Sequence, residues 1–149
     1  GSRITVLDLS QNLLDAGGMD MLMDGIVCLN DNLIELDISE NPLLQSAGVK
    51  ELAPFVLHSK LKVLHLSGCN IDSRGMHYLV GNIPRQLELL NMRDNMMTEN
   101  LNAPVVIVNL LKAAKLRRQN LVIQSSGNSF SDTSRENIIL AQMDVSNIL

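Results

Sequence analysis

The chain has 149 residues, 46% of them apolar but only 2% aromatic, and a formal charge of −4 at neutral pH. That length fits one domain, and its core has to be built from Leu, Ile, Val and Met in place of large rings. With no Trp, and with Phe55, Phe130 and Tyr78 as the only rings, no basic groove of stacking aromatics is available and nucleic acid is not an expected ligand.

From Ile4 the chain reads as a short strand, a turn at Asn12 and an amphipathic helix. Ile4, Leu7, Leu9, Asn12 and Leu14 have the spacing LxxLxLxxNxL, followed by Gly18 and Leu22. The helix after the turn is expected to lay Met19, Leu22, Met23, Ile26 and Leu29 on one face. A second unit repeats the plan with Leu33, Leu36, Ile38, Asn41, Leu43, Gly48 and Leu52, with one residue inserted around Pro42. Its helix carries Val49, Leu52, Ala53 and Val56. The third unit has Leu61, Leu64, Leu66, Cys69, Ile71, Gly75 and Leu79. Met76, Leu79, Val80 and Ile83 form its helical face, Asp72 or Ser73 its cap, and Pro84 follows its end.

The fourth unit keeps Leu87, Leu90, Met92, Asn95 and Met97, but Leu101 stands where Gly is expected and Pro104 follows. An enlarged or kinked helix from about Thr98 to Lys115 is predicted there. A fifth, distorted unit is centred on Asn128, with Phe130 and Ile138 at the expected offsets and Ser134 in place of Gly. Ser125 would occupy a Leu slot, and Leu121 with Ile123 can fill the strand slots instead. Ile138, Ile139, Leu140 and Met143 suggest a last helix covering the open end of the sheet. Successive turn positions lie 29, 28, 26 and 33 residues apart, and such near-constancy implies units stacked in register.

These motifs resemble the leucine-rich repeat proteins of the ribonuclease-inhibitor-like class, whose repeats of about 28 residues alternate strand and α-helix. The resemblance covers residues 3 to about 140. It implies an α/β solenoid, a short horseshoe with a parallel sheet inside and helices outside, in one domain spanning 3–149. Its repeats would run over about 4–32, 33–60, 61–86, 87–119 and 120–149. Gly1-Ser2 reads as a cloning remnant, and the abrupt start at Ile4 as the edge of a piece of a longer chain or of a surface packed on another chain.

Chemistry does not assemble along the chain. His58, His65, His77, Cys28 and Cys69 share no ligand spacing on one element, so no metal is expected. Gly17-Gly18 lacks the surroundings of a phosphate loop, and no cofactor is expected. Ser10, Ser39 and Ser67 recur at one repeat position and read as a packed column of small polar groups rather than as nucleophiles. Cys28 and Cys69 fall on apolar positions, as packed thiols of a reducing, cytoplasmic setting. No apolar run reaches the ~18 residues of a membrane span.

One strand face remains. Asp8, Asp37, His65 and Asn91 occupy the same exposed slot, flanked by Val6, Glu35, Val63 and Leu89 two residues before and by Ser10, Ser39, Ser67 and Arg93 two residues after. Residues 1–50 hold eight acids against two bases, and residues 51–149 eight against ten, so this ribbon runs from acidic to basic. Charges beside an apolar strip suit a protein interface. The resemblance implies the same use, a non-catalytic scaffold or adaptor binding a protein on its concave face. The contact residues would be Asp8, Glu35, Asp37, His65, Asn91 and Arg93, and the partner would carry a basic surface. Two alternatives stay open. One is a catalytic regulator similar to the Ran GTPase-activating proteins, with Arg93 or Arg74 the nearest candidate. The other is a structural domain that dimerises or joins a larger assembly, through the uncapped first unit or the apolar fourth helix. Lys112, Lys115, Arg117 and Arg118 read as the solvated end of the fourth helix, favourable to its dipole.

Overall fold

A computed structural model describes residues 3–27 and 31–143. Strands β1 (Val6–Asp8), β2 (Glu35–Asp37), β3 (Val63–His65), β4 (Leu89–Asn91) and β5 (Val122–Gln124) form one parallel sheet in sequence order. Helices α1 (Ala16–Ile26), α2 (Gln45–His58), α3 (Ser73–Val80), α4 (Ala103–Leu116) and α5 (Asp132–Gln142) each follow one strand. Leu7, Leu36, Leu64, Leu90 and Ile123 stand in direct register across the sheet. The middle three are wholly buried, the aliphatic spine that the spacing predicts. Ile123 takes the fifth rung and Ser125 the Leu slot that Met92 fills in the fourth unit, so the longer interval before Asn128 is absorbed upstream of β5.

The turn that leaves each strand explains the recurrent Asn. The preceding residue is left-handed in all five units, with φ of +57° at Gln11, +59° at Glu40, +65° at Gly68, +55° at Asp94 and +76° at Gly127. That kink strands backbone groups inside the molecule, and the amide at the next position collects them. Asn95 is buried. Its Nδ2 donates to the carbonyls of Leu66, Met92 and Arg93, and its Oδ1 accepts from Cys69 N and Ile71 N. Asn41 bridges Leu9 O, Ile38 O and Leu14 N in the same manner, and Asn128 bridges Met92 O, Ser125 O and Met97 N. Each amide therefore stitches its own turn to the one before.

Cys69 breaks this series, and the inserted residue of the second unit compensates. Pro42 has no N–H to offer, Leu44 N turns back to Asn41 O at 3.0 Å, and Gln45 N reaches the Cys69 carbonyl at 3.0 Å. A backbone bond thus replaces the side-chain acceptor that Cys lacks. The Cys69 thiol donates to Ile38 O at 3.2 Å. Burial pushes that thiol up to about 11, offset only in part by the backbone N–H groups of Asn41 and Glu40, so it stays protonated and able to donate. The insertion also shifts the core slot by one. Leu44 is wholly buried, whereas Leu43, expected inside from the spacing, is 50% exposed.

Other departures have equally local causes. Asp72 caps α3 by accepting from Arg74 N, but the helix ends at Val80, which is 43% exposed, and Ile83 packs from beyond it. Before α4 a 3-10 turn at Asn100–Asn102 holds Leu101 left-handed at φ +54°. Pro104 falls in the first turn of α4, where its missing N–H has no intrahelical partner to lose. The kink is therefore upstream of the helix, and the proline starts the helix instead of interrupting it. Helix α5 is the regular helix of the fifth unit, not a lid. Ile138 is buried, but Ile139, expected on the covering face, is 60% exposed, and Leu140 and Met143 are exposed too. What closes that end is one side chain: the Gln142 amide accepts from Ile123 N and donates to Leu121 O on the open edge of β5. Cys28, Leu29 and the segment 144–149 lie outside the described residues.

Asn95→Ala orphans the N–H groups of Cys69 and Ile71 and the carbonyl of Leu66, while Met92 O keeps Asn128 Nδ2 and Arg93 O keeps Gly68 N, and is expected to cost about 3 kcal/mol or more. Asn12→Ala, where the amide is exposed and makes local bonds to Leu9 O and Ser10 O, is expected to cost less than about 1 kcal/mol. Urea denaturation of the two variants checks the ranking. The stability that Cys69 contributes is whole below its unfolded value of 9.0 and is lost as the pH rises towards about 11. A Cys69→Ala variant should lack this component of the alkaline decline.

Candidate concave-face site

Three-residue strands place alternate side chains on opposite faces, so the residues flanking each buried Leu share the inner wall. One row across the sheet is Val6, Glu35, Val63, Leu89 and Val122, and the next is Asp8, Asp37, His65, Asn91 and Gln124. Val122 and Gln124, left open by the degenerate fifth motif, complete both rows. Three of the apolar members, Val63, Leu89 and Val122, lie on the last three strands and Val6 on the first, while the acids are on the first two.

Half of the polar row is already engaged. Asp8 Oδ1 accepts from Ser10 N and Asp37 Oδ1 from Ser39 N, each at 2.9 Å, and Asn91 Oδ1 accepts from Arg93 N at 3.1 Å. These side chains close the same local ring at the end of their strands, which is why only Asp and Asn fill the slot where the ring forms. The Ser10 hydroxyl and N–H hold the Asp8 carboxyl below its usual range, against a smaller opposing effect of burial. Ser39 is buried and its hydroxyl accepts from Ser67 N at 3.2 Å, so the serine column is structural.

His65 is the centre of the face. Its Nε2 lies 3.1 Å from Glu35 Oε1 and its Nδ1 lies 3.2 Å from Asn91 Nδ2. Asn91 Oδ1 is committed to Arg93 N, so Asn91 Nδ2 is the donor and His65 Nδ1 the acceptor; Nε2 then carries the proton towards Glu35. One chain of contacts therefore runs Glu35, His65, Asn91 and the backbone of Arg93, over strands β2 to β4. It fixes the side chains, and the buried hydroxyl of Ser39 is engaged by Ser67 N.

Five of the six expected contact residues thus stand in one connected patch, and the sixth, Arg93, sits at its rim with an exposed side chain. Sequence reasoning missed how far acidity extends beyond the patch. Glu40 and Asp94 lie against Gly68 and Gly127, where any Cβ would collide with their carboxylates. The signal was available as the alternation of acid and glycine at the residue before each turn position. No Lys or Arg occurs between Ile4 and Val49, so the charged groups on the wall of the first two units are all acids.

Elsewhere the geometry is less suggestive of chemistry. Arg74 forms a forked ion pair with Asp72, at 2.7 Å from its Nη2, and this pairing with Arg74 depresses the Asp72 carboxyl. Lys115, Arg117 and Arg118 cluster at the end of α4, with Lys115 on the Met143 carbonyl and Arg117 on Gln119. Among the described residues no three His, Cys, Asp or Glu side chains converge to hold a metal. No described helix is long and apolar enough to cross a membrane.

Nitrogen-15 NMR of the neutral His65 ring should report the Nε2–H tautomer in the wild type, and a mixture of tautomers once Asn91→Ala removes the donor at Nδ1. An Nδ1–H ring in the wild type would contradict the contact chain.

The leucine-rich repeat family model matches residues 29–53 and 58–80, the second and third units. No curated protein is similar enough in sequence to count as a match. With two units matched and five parallel strands continuing the same plan in one sheet, the protein is an α/β leucine-rich repeat solenoid.

Proposed function

We propose that the protein is a non-catalytic recognition module, a scaffold or adaptor that binds a protein partner on its concave wall. We take its repeats to be of the ribonuclease-inhibitor-like type, since every strand is followed by a full α-helix. Leucine-rich repeats are generally protein-interaction modules, and the observation that carries the reading here is the division of the wall. Asp8, Glu35 and Asp37 form an acidic half, with Val6 at its edge, and Val63, Leu89 and Val122 an apolar half, with His65 pinned between them. Asp8 and Asp37 each take a backbone N–H at Oδ1, and the contact chain holds the surface in one arrangement, which lowers the cost of ordering it on binding.

The partner that complements such a wall presents Lys or Arg beside aliphatic residues. Arg93 at the rim adds a contact for an acidic group at the far side. A buried, protonated Cys69 fits a reducing cytoplasmic setting.

Charge removal tests this more cleanly than charge reversal, because a Lys at position 8 or 37 would also orphan the N–H of Ser10 or Ser39. The triple variant Asp8→Asn, Glu35→Gln, Asp37→Asn keeps every acceptor and drops three charges. With a partner isolated by affinity capture, calorimetric titration at low salt should show binding weakened by about tenfold, roughly 1.4 kcal/mol, with wild-type affinity falling as salt is added. Unchanged affinity and no salt dependence would remove the concave wall from consideration.

A further inference from the structure

The slot that holds Asp8, Asp37 and Asn91 closes a ring with the N–H two residues on in the first, second and fourth strands. His65 holds the same slot in β3 and closes none, because Ser67 N is met by the Ser39 hydroxyl instead. The imidazole is thereby released from backbone duty and bridges the sheet between Glu35 on β2 and Asn91 on β4. Its side chain is 24% exposed, so solvent protons reach it, and imidazole ordinarily titrates within the physiological range.

The two flanks respond differently to a second ring proton. Glu35 Oε1 accepts from Nε2–H in either state. Asp37 beside it on β2, and Asp8 on β1, whose carboxyl feels the charge of His65, also favour the charged ring, while Arg93 beyond β4 is the base on this side. Asn91 is the obstacle. Its Nδ2 donates to Nδ1, the atom that receives the proton, at 3.2 Å, and two donors cannot share that contact. The amide has one oxygen, and Arg93 N already occupies it. A carboxylate in this place, as at positions 8 and 37, would serve ring and backbone at once; an amide serves one or the other.

We propose that His65 is a proton switch in the concave wall. Uptake of a proton at Nδ1 turns the Asn91 amide over, so that Oδ1 accepts from Nδ1–H and the ring that Asn91 closes with Arg93 N opens. That N–H lies at the exposed end of β4 and turns to water, so the change costs the fold little and reaches the rim. The proton also sets a positive charge between the acidic and the apolar half. A partner bearing Lys or Arg is held by the neutral ring and released as the ring charges. This last step rests on the concave-wall reading; the turnover of Asn91 does not.

NMR of the whole chain from about pH 8 to about pH 5 tests the switch without a partner. In the wild type the Asn91 Nδ2 and Arg93 backbone N–H signals should shift with the same midpoint as the His65 ring, and in His65→Gln they should stay still. Asn91→Asp supplies an acceptor to each side. Its ring should keep the second proton to a pH about one unit higher or more, and its Arg93 N–H should keep the bonded shift throughout. An Arg93 signal that ignores the ring in the wild type, or follows it as strongly in Asn91→Asp, would overturn the proposal. In a second arm, the partner captured at neutral pH should bind about tenfold more weakly at about pH 5.5, a loss absent in His65→Gln. The same loss in both proteins would overturn the release step. A wall that switches but captures nothing would sink the concave-wall reading and leave the switch standing.

Discussion

The structure depends on what happens to backbone hydrogen-bonding groups where the chain turns out of each strand. A left-handed residue bends the chain there, and the stranded N–H and C=O groups lie in an apolar interior where each unmet group costs about 1–3 kcal/mol. A single side chain with a donor and an acceptor on one planar amide meets several of them at once. This is why Asn recurs at that position, and why its spacing controls the rise of the solenoid. The aliphatic spine supplies most of the burial, but leucines alone would not keep the units in register.

Cys69 shows the strength of this constraint. Where the amide is absent, the chain carries an extra residue and a proline in the preceding turn, and a backbone bond from Gln45 N takes over the missing acceptor. The two irregularities are one feature. The thiol still donates to Ile38 O in the preceding turn but supplies no amide oxygen, and Pro42 has no N–H that needs one. Gln142 solves a related problem at β5, where one amide serves the edge beside which no described strand lies.

The same economy shapes the inner wall. Asp8, Asp37 and Asn91 close a ring with the N–H two residues on, so the residues that look most like recognition groups are also structural. Their dual role holds each carboxylate in place. A wall built in this way is stiff for its polarity, and His65, bracketed by Glu35 and Asn91, locks three strands of it together.

The order of strands and helices, the parallel sheet, the spine of Leu7, Leu36, Leu64 and Leu90, and the membership of the concave rows on the first four strands were all legible from the sequence. They follow from a period, and a period survives without knowledge of contacts. Four things were decided only in three dimensions. Leu44 and not Leu43 entered the core, because an inserted residue shifts register by an amount that spacing cannot assign to one side. The kink before α4 fell at Leu101 and Asn102, because proline is compatible with a helix start as well as with a break. The last helix proved to be an ordinary repeat helix and a glutamine the closing group, because a hydrogen bond from Gln142 to a strand edge 19 and 21 residues away leaves no periodic trace. The pairing of His65 with Glu35 and Asn91 likewise depends on neighbours 30 and 26 residues distant, brought together by stacking: sequence alone determines which side chains share a face, and tertiary structure decides which of them touch.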